Sequence, residues 1–294
     1  YPQVSIQIDH SSFNRNYRCL HLIYADVNIQ NSKFEENGPE ALLRNTSASE
    51  NSVIIDNVSF VRNSGMIHTD SEFLIKNSIF DSNVYSRESN NFLVLGISNP
   101  STSILNTQFI QNETNGGLIA PDGLTIIDNC LFDGNKMGTS MINTSNGNEM
   151  SMSISNSTFE NCVVSNGAMI DSYRTNLSSV NSTYVNNTSG IATFYGEYVK
   201  WELYNNTILS NNVPDNHSIY LVGDNDLKLV GNVIDGIYLP SSSEPIVSQN
   251  NIFLCDLSER GSKTVWANEE NAISLNASVC PDLFDGKYDS KNDK

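Results

Sequence analysis

The chain has 294 residues, 16 Lys and Arg against 33 Asp and Glu, a formal charge of −17, and 38% hydrophobic residues. That balance excludes phosphate backbones and anionic membrane surfaces as partners, because both need clustered cations, and no run of about 18 apolar residues is present to span a bilayer. Asn occupies 42 positions, yet the apolar residues recur in register, which marks a folded repeat and not a disordered polar tract.

The first element is "VSIQI" from Val4, apolar at alternate positions and followed by "HSSFN" around Phe13. This two-part unit returns along the chain as a strand, then Asn, two residues, a large apolar residue, two residues and Asn. Examples are "NVSFVRN" (57–63), "NSIFDSN" (77–83) and "NTQFIQN" (106–112). Aligned on the large residue, the anchors are Phe13, Phe34, Phe60, Phe80, Phe109, Phe132, Phe159, Tyr184, Ile208, Ile234 and Phe253, spaced 19 to 29 residues and averaging 24. Five residues before them stand Ile8, Ile29, Ile55, Ile75, Ile104, Ile127, Ile154, Leu203 and Leu229, with Ser179 and Ser248 as exceptions. A further apolar column lies two residues earlier still, and the positions between are polar. That period of two predicts strands with one buried face.

A second apolar patch follows most anchors after a Gly or Asn turn, as in "GMI" (65–67), "GGLIA" (116–120) and "GAMI" (167–170). A unit of two or three short strands cannot bury its own face, whereas stacked copies can. The predicted fold is therefore all-β, a right-handed parallel β-helix solenoid of about eleven coils over 1–254. A small disulfide-stapled C-terminal cap (255–285) and a polar tail (286–294) follow.

Three positions before the anchors, nine of eleven residues are Asn: Asn31, Asn57, Asn77, Asn106, Asn129, Asn156, Asn181, Asn205 and Asn250. Counting parity from the inward Ile column places these side chains inside, as an amide ladder at a bend where Asn tolerates left-handed backbone. Phe13, Phe34, Phe60, Phe80, Phe109, Phe132, Phe159 and Tyr184 form the expected aromatic stack. The Asn three positions after the anchor is assigned to a second bend.

Twelve Asn-x-Ser/Thr sequons, few lysines and five cysteines point to a secreted, extracellular or cell-surface N-glycoprotein. Asn45, Asn143, Asn176, Asn216 and Asn276 are the expected glycan carriers, placed in loops or the C-terminal segment. The sequons at Asn57, Asn156, Asn181 and Asn205 are expected to stay unoccupied as inward residues, and Asn112, Asn186 and Asn187 are left open. Cys255 and Cys280 bracket the cap as a candidate disulfide; Cys19, Cys130 and Cys162 lie in the repeats, and at least one of the five has no partner within the chain.

Phe-x-x-Asn followed by Gly-Gly-[Ala/Leu/Ile] stands here as "FIQN" with "GGLI" (109–119) and "FENC" with "NGAM" (159–169). The pattern resembles the repeat of the polymorphic outer membrane protein family and, more loosely, the pectin-lyase-like superfamily of right-handed β-helices. The resemblance spans roughly residues 4–254. It implies a β-helix displayed at a surface in an adhesive role; the chain departs from the first family in its many sequons and in having no translocator barrel within these residues. The acidic and basic signatures of pectin-lyase-like enzymes (Asn-Thr-Asp, Asp-Asp, Gly-His-Gly, Arg-Ile-Lys) are missing from the sequence.

No cofactor, catalytic set or metal site is assigned. Asp133 and Glu160 each follow their anchor on neighbouring coils, which brings two carboxylates within roughly 5 Å, near the separation used by retaining glycosidases. His10, His21, His68 and His217 fall at unrelated repeat positions, "GDNDLK" (223–228) reads as a polar turn, and Trp201 falls in an inward column. The sequence begins at Tyr1 without Met or an apolar leader, and its first strand comes without a capping element. The expected function is a non-enzymatic structural or adhesive glycoprotein, a subunit of a surface filament or sheath that stacks head to tail on itself or on other extracellular proteins. A carbohydrate- or receptor-binding module and a polysaccharide lyase or hydrolase are the alternatives.

Overall fold

A computed structural model describes residues 4–46, 51–85, 92–95, 101–144, 150–214, 218–238 and 246–253, together with the backbone of 266–270 and 273–274. Its described elements are β-strands that pair in parallel with their copies one circuit along the chain. They form four stacked sheets of twelve, twelve, ten and five strands. The protein is a β-solenoid, and no α-helix occurs among the described residues.

Each circuit opens with a strand of four to six residues, such as Ser52–Asp56 or Met150–Ser155, in the first sheet. Ile8, Ile29, Ile55, Ile75, Ile104, Ile127 and Ile154 lie opposite one another in unbroken register. A one-residue slip would turn each strand's apolar set into water, so alternation fixes the register. The chain then bends into a three-residue strand carrying the anchor, for example Ser59–Val61, in the second sheet. In five circuits a two-residue strand such as Lys136–Met137 follows. A return strand, such as Ile170–Tyr173, closes the circuit with an apolar column running through Leu43, Ile67, Ile119, Ile142, Ile170, Phe194 and Ile219.

Both bends flanking the anchor strand are made by single residues in left-handed backbone. Before the anchor, φ is 47–55° at Asn31, Asn57, Asn77, Asn106, Asn129, Asn156, Asn181, Asn205 and Asn250, with His10 and Gly231 filling the same slot. After it, φ is 52–56° at Arg15, Glu36, Arg62, Ser82, Gln111, Asn161, Asn186 and Ser210. The Asn preference at the first bend follows from the short side chain that tolerates this region. Where the return turns nest, Gly is required: a Cβ on Gly167 would stand 1.7 Å from the Thr139 carbonyl oxygen.

The sheets run on past residue 254. Trp266–Glu270 pairs with Ile246–Gln249 and Ile273–Ser274 pairs with Ile252–Phe253, adding the twelfth strand to the first and second sheets. The segment set apart by sequence as a cap thus carries solenoid strands. Cys255, Cys280 and the tail 286–294 lie outside the described residues.

Candidate functional site

The core is organised as columns. Phe13, Phe34, Phe60, Phe80, Phe109, Phe132, Phe159 and Tyr184 stack with centroids 4.3–4.9 Å apart and planes within 18°. The separation is the strand spacing itself, so every ring is held face to face by its own backbone ladder. Such pairs are worth about 0.5–1.5 kcal/mol each beyond the area they bury.

The buried amide ladder is not the column the sequence assigned to it. Asn31, Asn57, Asn77, Asn106, Asn129, Asn156, Asn181, Asn205 and Asn250 are exposed. A left-handed residue at a corner reverses the in-and-out alternation, so parity counted across it from the Ile column fails by one. These side chains still touch, on the outside: Asn57 donates to Asn31 Oδ1 at 2.8 Å, Asn129 to Asn106 Oδ1 at 2.7 Å, and Asn156 to Asp128 at 2.8 Å. Hydrogen bonds from Ser155 and Asn156 hold the Asp128 carboxyl below its ordinary value.

The interior ladder is the column three residues after the anchor. Asn37, Asn63, Asn83, Asn112, Asn135, Asn187 and Asn211 are buried there. In each of the first four, the backbone N–H and Nδ2 both donate to Oδ1 of the next Asn at 2.8–3.1 Å. Nδ2 also donates to the carbonyl of the preceding circuit's anchor, as Asn112 does to Phe80 at 2.9 Å. Cys162 replaces Asn in one circuit, and its N–H donates to Asn187 Oδ1 at 3.0 Å. The ladder ends on Asp235, whose Oδ2 accepts from the Asn211 N–H at 3.2 Å and which Ser218 Oγ also contacts. Burial pushes the Asp235 carboxyl up to about 6.

A second buried polar column sits two residues before the anchor and passes from hydroxyls to amides. The Cys130 N–H donates to Ser157 Oγ, Ser157 to Ser182 Oγ, Ser182 to Asn206 Oδ1, and Asn206 to Asn232 Oδ1, at 2.9–3.2 Å. The Ser179 exception in the Ile column belongs to this network: its Oγ meets the Tyr184 hydroxyl at 3.0 Å. Cys19, Cys130 and Cys162 are free thiols that burial pushes up to about 11, so they stay protonated and unreactive at neutral pH.

The sequons sort by the same geometry. Asn45 is fully buried in the strand Leu43–Thr46, its Nδ2 donating to the Ala25 carbonyl at 2.9 Å, and is no loop residue. Asn112 and Asn187 are interior ladder members. Asn143 lies half-buried and Asn176 exposed, both within strands and not in loops. Asn57, Asn156, Asn181 and Asn205, set aside as inward, are on the surface. Asn216 and Asn276 lie outside the described residues.

Asp133 and Glu160 are register partners on adjacent strands. Asn161 Nδ2 donates to Asp133 at 2.9 Å, and the register row continues through Ile110 and Val185. Trp201 is fully buried against Phe194. In "GDNDLK", Asn225 folds back onto the Val222 and Gly223 carbonyls, a side-chain-closed turn. His21 and His68, placed by sequence at unrelated positions, share one outward row with Arg44 between them, while His217 lies outside the described residues. No group of three potential metal ligands occurs among the described residues. No protein-family model matches the chain, and no curated protein matches it either.

Proposed function

We propose that the chain is a non-enzymatic extracellular scaffold, a stiff rod serving as a structural or adhesive element of a surface filament or sheath. The observation that supports it is the recurrence of the same kinds of internal contact: an eight-ring stack flanked by polar ladders, with Cys162 standing in for Asn in one circuit. Such reinforcement, on this reading, stiffens the molecule along its length, which is what a spacer needs. On this reading the coil is right-handed, because parallel crossovers favour that hand. About eleven coils would span roughly 50 Å, Cys255 and Cys280 would staple the C-terminal segment, and the repeat would belong with polymorphic outer membrane protein-type β-helices. Contacts with other copies or with other extracellular proteins would extend the rod.

Glycosylation fits this reading only at surface sequons. A glycan on Asn45, Asn112 or Asn187 would break buried hydrogen bonds, whereas Asn57, Asn156, Asn181 and Asn205 could carry one without leaving the fold. Glycopeptide mass spectrometry of the native material tests this: occupancy at the buried three would contradict it.

The test of the scaffold reading is electron microscopy of native material with light scattering on the purified chain. Filaments with a longitudinal repeat near the rod length support it. Dispersed single rods that degrade an acidic or neutral polysaccharide, with the activity lost in Asp133→Asn or Glu160→Gln, would replace it with the lyase or hydrolase alternative. Dispersed rods that retain a glycan on an array would favour the binding module.

A further inference from the structure

The return sheet carries an unusual outward row at its N-terminal end. His21, Arg44 and His68 are direct register partners on three successive strands, so neighbouring side chains leave the backbone roughly 4.8 Å apart. His21 and Arg44 are exposed, and they share a small cavity of about 60 Å³ with Arg18, Glu40, Met66 and Tyr85.

Charge compensation within the cavity is uneven. Glu40 is engaged by Arg18 Nη2 at 3.1 Å and lies 3.5 Å from the Tyr17 hydroxyl. His68 Nε2 meets Asp70 at 3.2 Å. Arg44 has no carboxylate partner among the described residues, although the protein carries 33 Asp and Glu against 16 Lys and Arg. Arg62, at the anchor-strand corner, is by contrast held by both Glu35 and Glu36, and Arg174 lies over the Tyr173 ring, 5.1 Å from its centroid. A lone guanidinium left open beside a concave wall, in a chain that has carboxylates to spare, is arranged to receive an anion from outside.

We propose that Arg44, supported by His21 and by the Arg18 side of the cavity, forms a binding site for a single oxyanion group: a sulfate ester, a phosphate ester or a carboxylate. The guanidinium fork matches two oxygens of any of these. The cavity has room for a few waters, the size of one such head group and too small for a sugar ring. A polyanion is disfavoured, since the chain as a whole carries a charge of −17 that would repel an extended anion. The site is independent of whether the rod assembles.

The experiment is NMR on protein labelled with ¹⁵N-arginine, which gives seven side-chain Nε–H signals from the seven arginines of the chain. Arg44→Gln removes and thereby assigns one of them, and the unchanged remaining signals show that this surface variant is folded. Inorganic sulfate, phosphate and acetate are titrated in turn, with ionic strength held constant by sodium chloride. The expected result is a saturable shift of the Arg44 signal with a midpoint of about 1–10 mM, weakened several-fold in His21→Gln, while the Arg15 signal stays still in its pair with Glu36. Tighter response to sulfate or phosphate identifies the ligand group as an ester, and tighter response to acetate identifies a carboxylate. All arginine signals drifting together without saturation, or an immobile Arg44 signal, overturns the proposal.

Discussion

Asn112 and Asn106 belong to the same circuit, and replacing each with Ala separates the interior ladder from the exterior one. Asn112→Ala removes two donors and the acceptor on which the Asn83 backbone N–H and Nδ2 both depend. Asn83 Nδ2 keeps the Phe60 carbonyl, and Asn135 Oδ1 keeps the backbone N–H of residue 112, but the buried Asn83 N–H and Phe80 carbonyl lose these partners. One orphaned buried polar group costs about 1–3 kcal/mol, so the loss should total about 3–5 kcal/mol. Asn106→Ala breaks a 3.4 Å bond to Asn77 and frees Asn129 in a fully wet setting, with the main penalty of about 1–2 kcal/mol coming from Ala at φ 50°. Asn106→Gly, which relieves that strain, should fall below about 1 kcal/mol. Guanidinium denaturation followed by circular dichroism gives the midpoints. Hydrogen exchange should localise the Asn112→Ala damage to the neighbouring circuits, because each circuit of a solenoid contacts only its neighbours. Equal losses for the two Ala variants would refute the assignment of interior and exterior ladders.

Asp235 should make the fold less stable as pH rises. Its carboxyl is raised from 3.8 to about 6 by burial, so the unfolded chain gives up the proton first, and the contribution present below about pH 4 fades by pH 6 and above. The difference approaches about 3 kcal/mol, and the gap in melting behaviour between the wild type and Asp235→Asn, measured from pH 4 to 8, should widen with pH in favour of the variant; parallel curves would count against it. Tyr184→Phe should destabilise by about 1 kcal/mol through loss of the Ser179 contact. Adding Ser179→Ile should recover part of that loss by restoring the Ile column, and simple additivity in a double-mutant cycle would deny the coupling. Gly167→Ala should prevent normal folding or cost at least about 3 kcal/mol, since its Cβ would stand 1.7 Å from the Thr139 oxygen; a soluble variant with wild-type melting would show that the nested turn is looser than described.

The solenoid was legible because its strands repeat at a fixed offset from one large residue, and the aromatic anchors announce themselves at every circuit. Orientation across the corners was not. Strand parity holds only within extended backbone, and one left-handed residue between Ile55 and Phe60 shifts the phase, sending Asn57 out and Val58 in. Two signals pointed the right way: Cys162 occupying an Asn slot after the anchor, and the small Ser, Thr and Cys residues two before it. The row of His21, Arg44 and His68 was illegible for another reason. The turn between anchor and return strand varies in length, so positions on the return sheet cannot be aligned by counting from the anchor. Burial of Asn45 was hidden by the same irregularity.

The interior Asn ladder is also a vector. From Asn37 through Asn112, the amides pass their hydrogens toward the later circuit and offer their oxygens to the earlier one. The amide dipoles therefore align along the axis, and the later end closes on Asp235, a carboxylate that accepts the last backbone N–H. A circuit inserted into the ladder must keep that sense: turned the opposite way, its oxygen would face oxygen. The solenoid therefore carries a direction written in its amides, from Asn37 at one end of the buried column to the Asp235 carboxylate at the other.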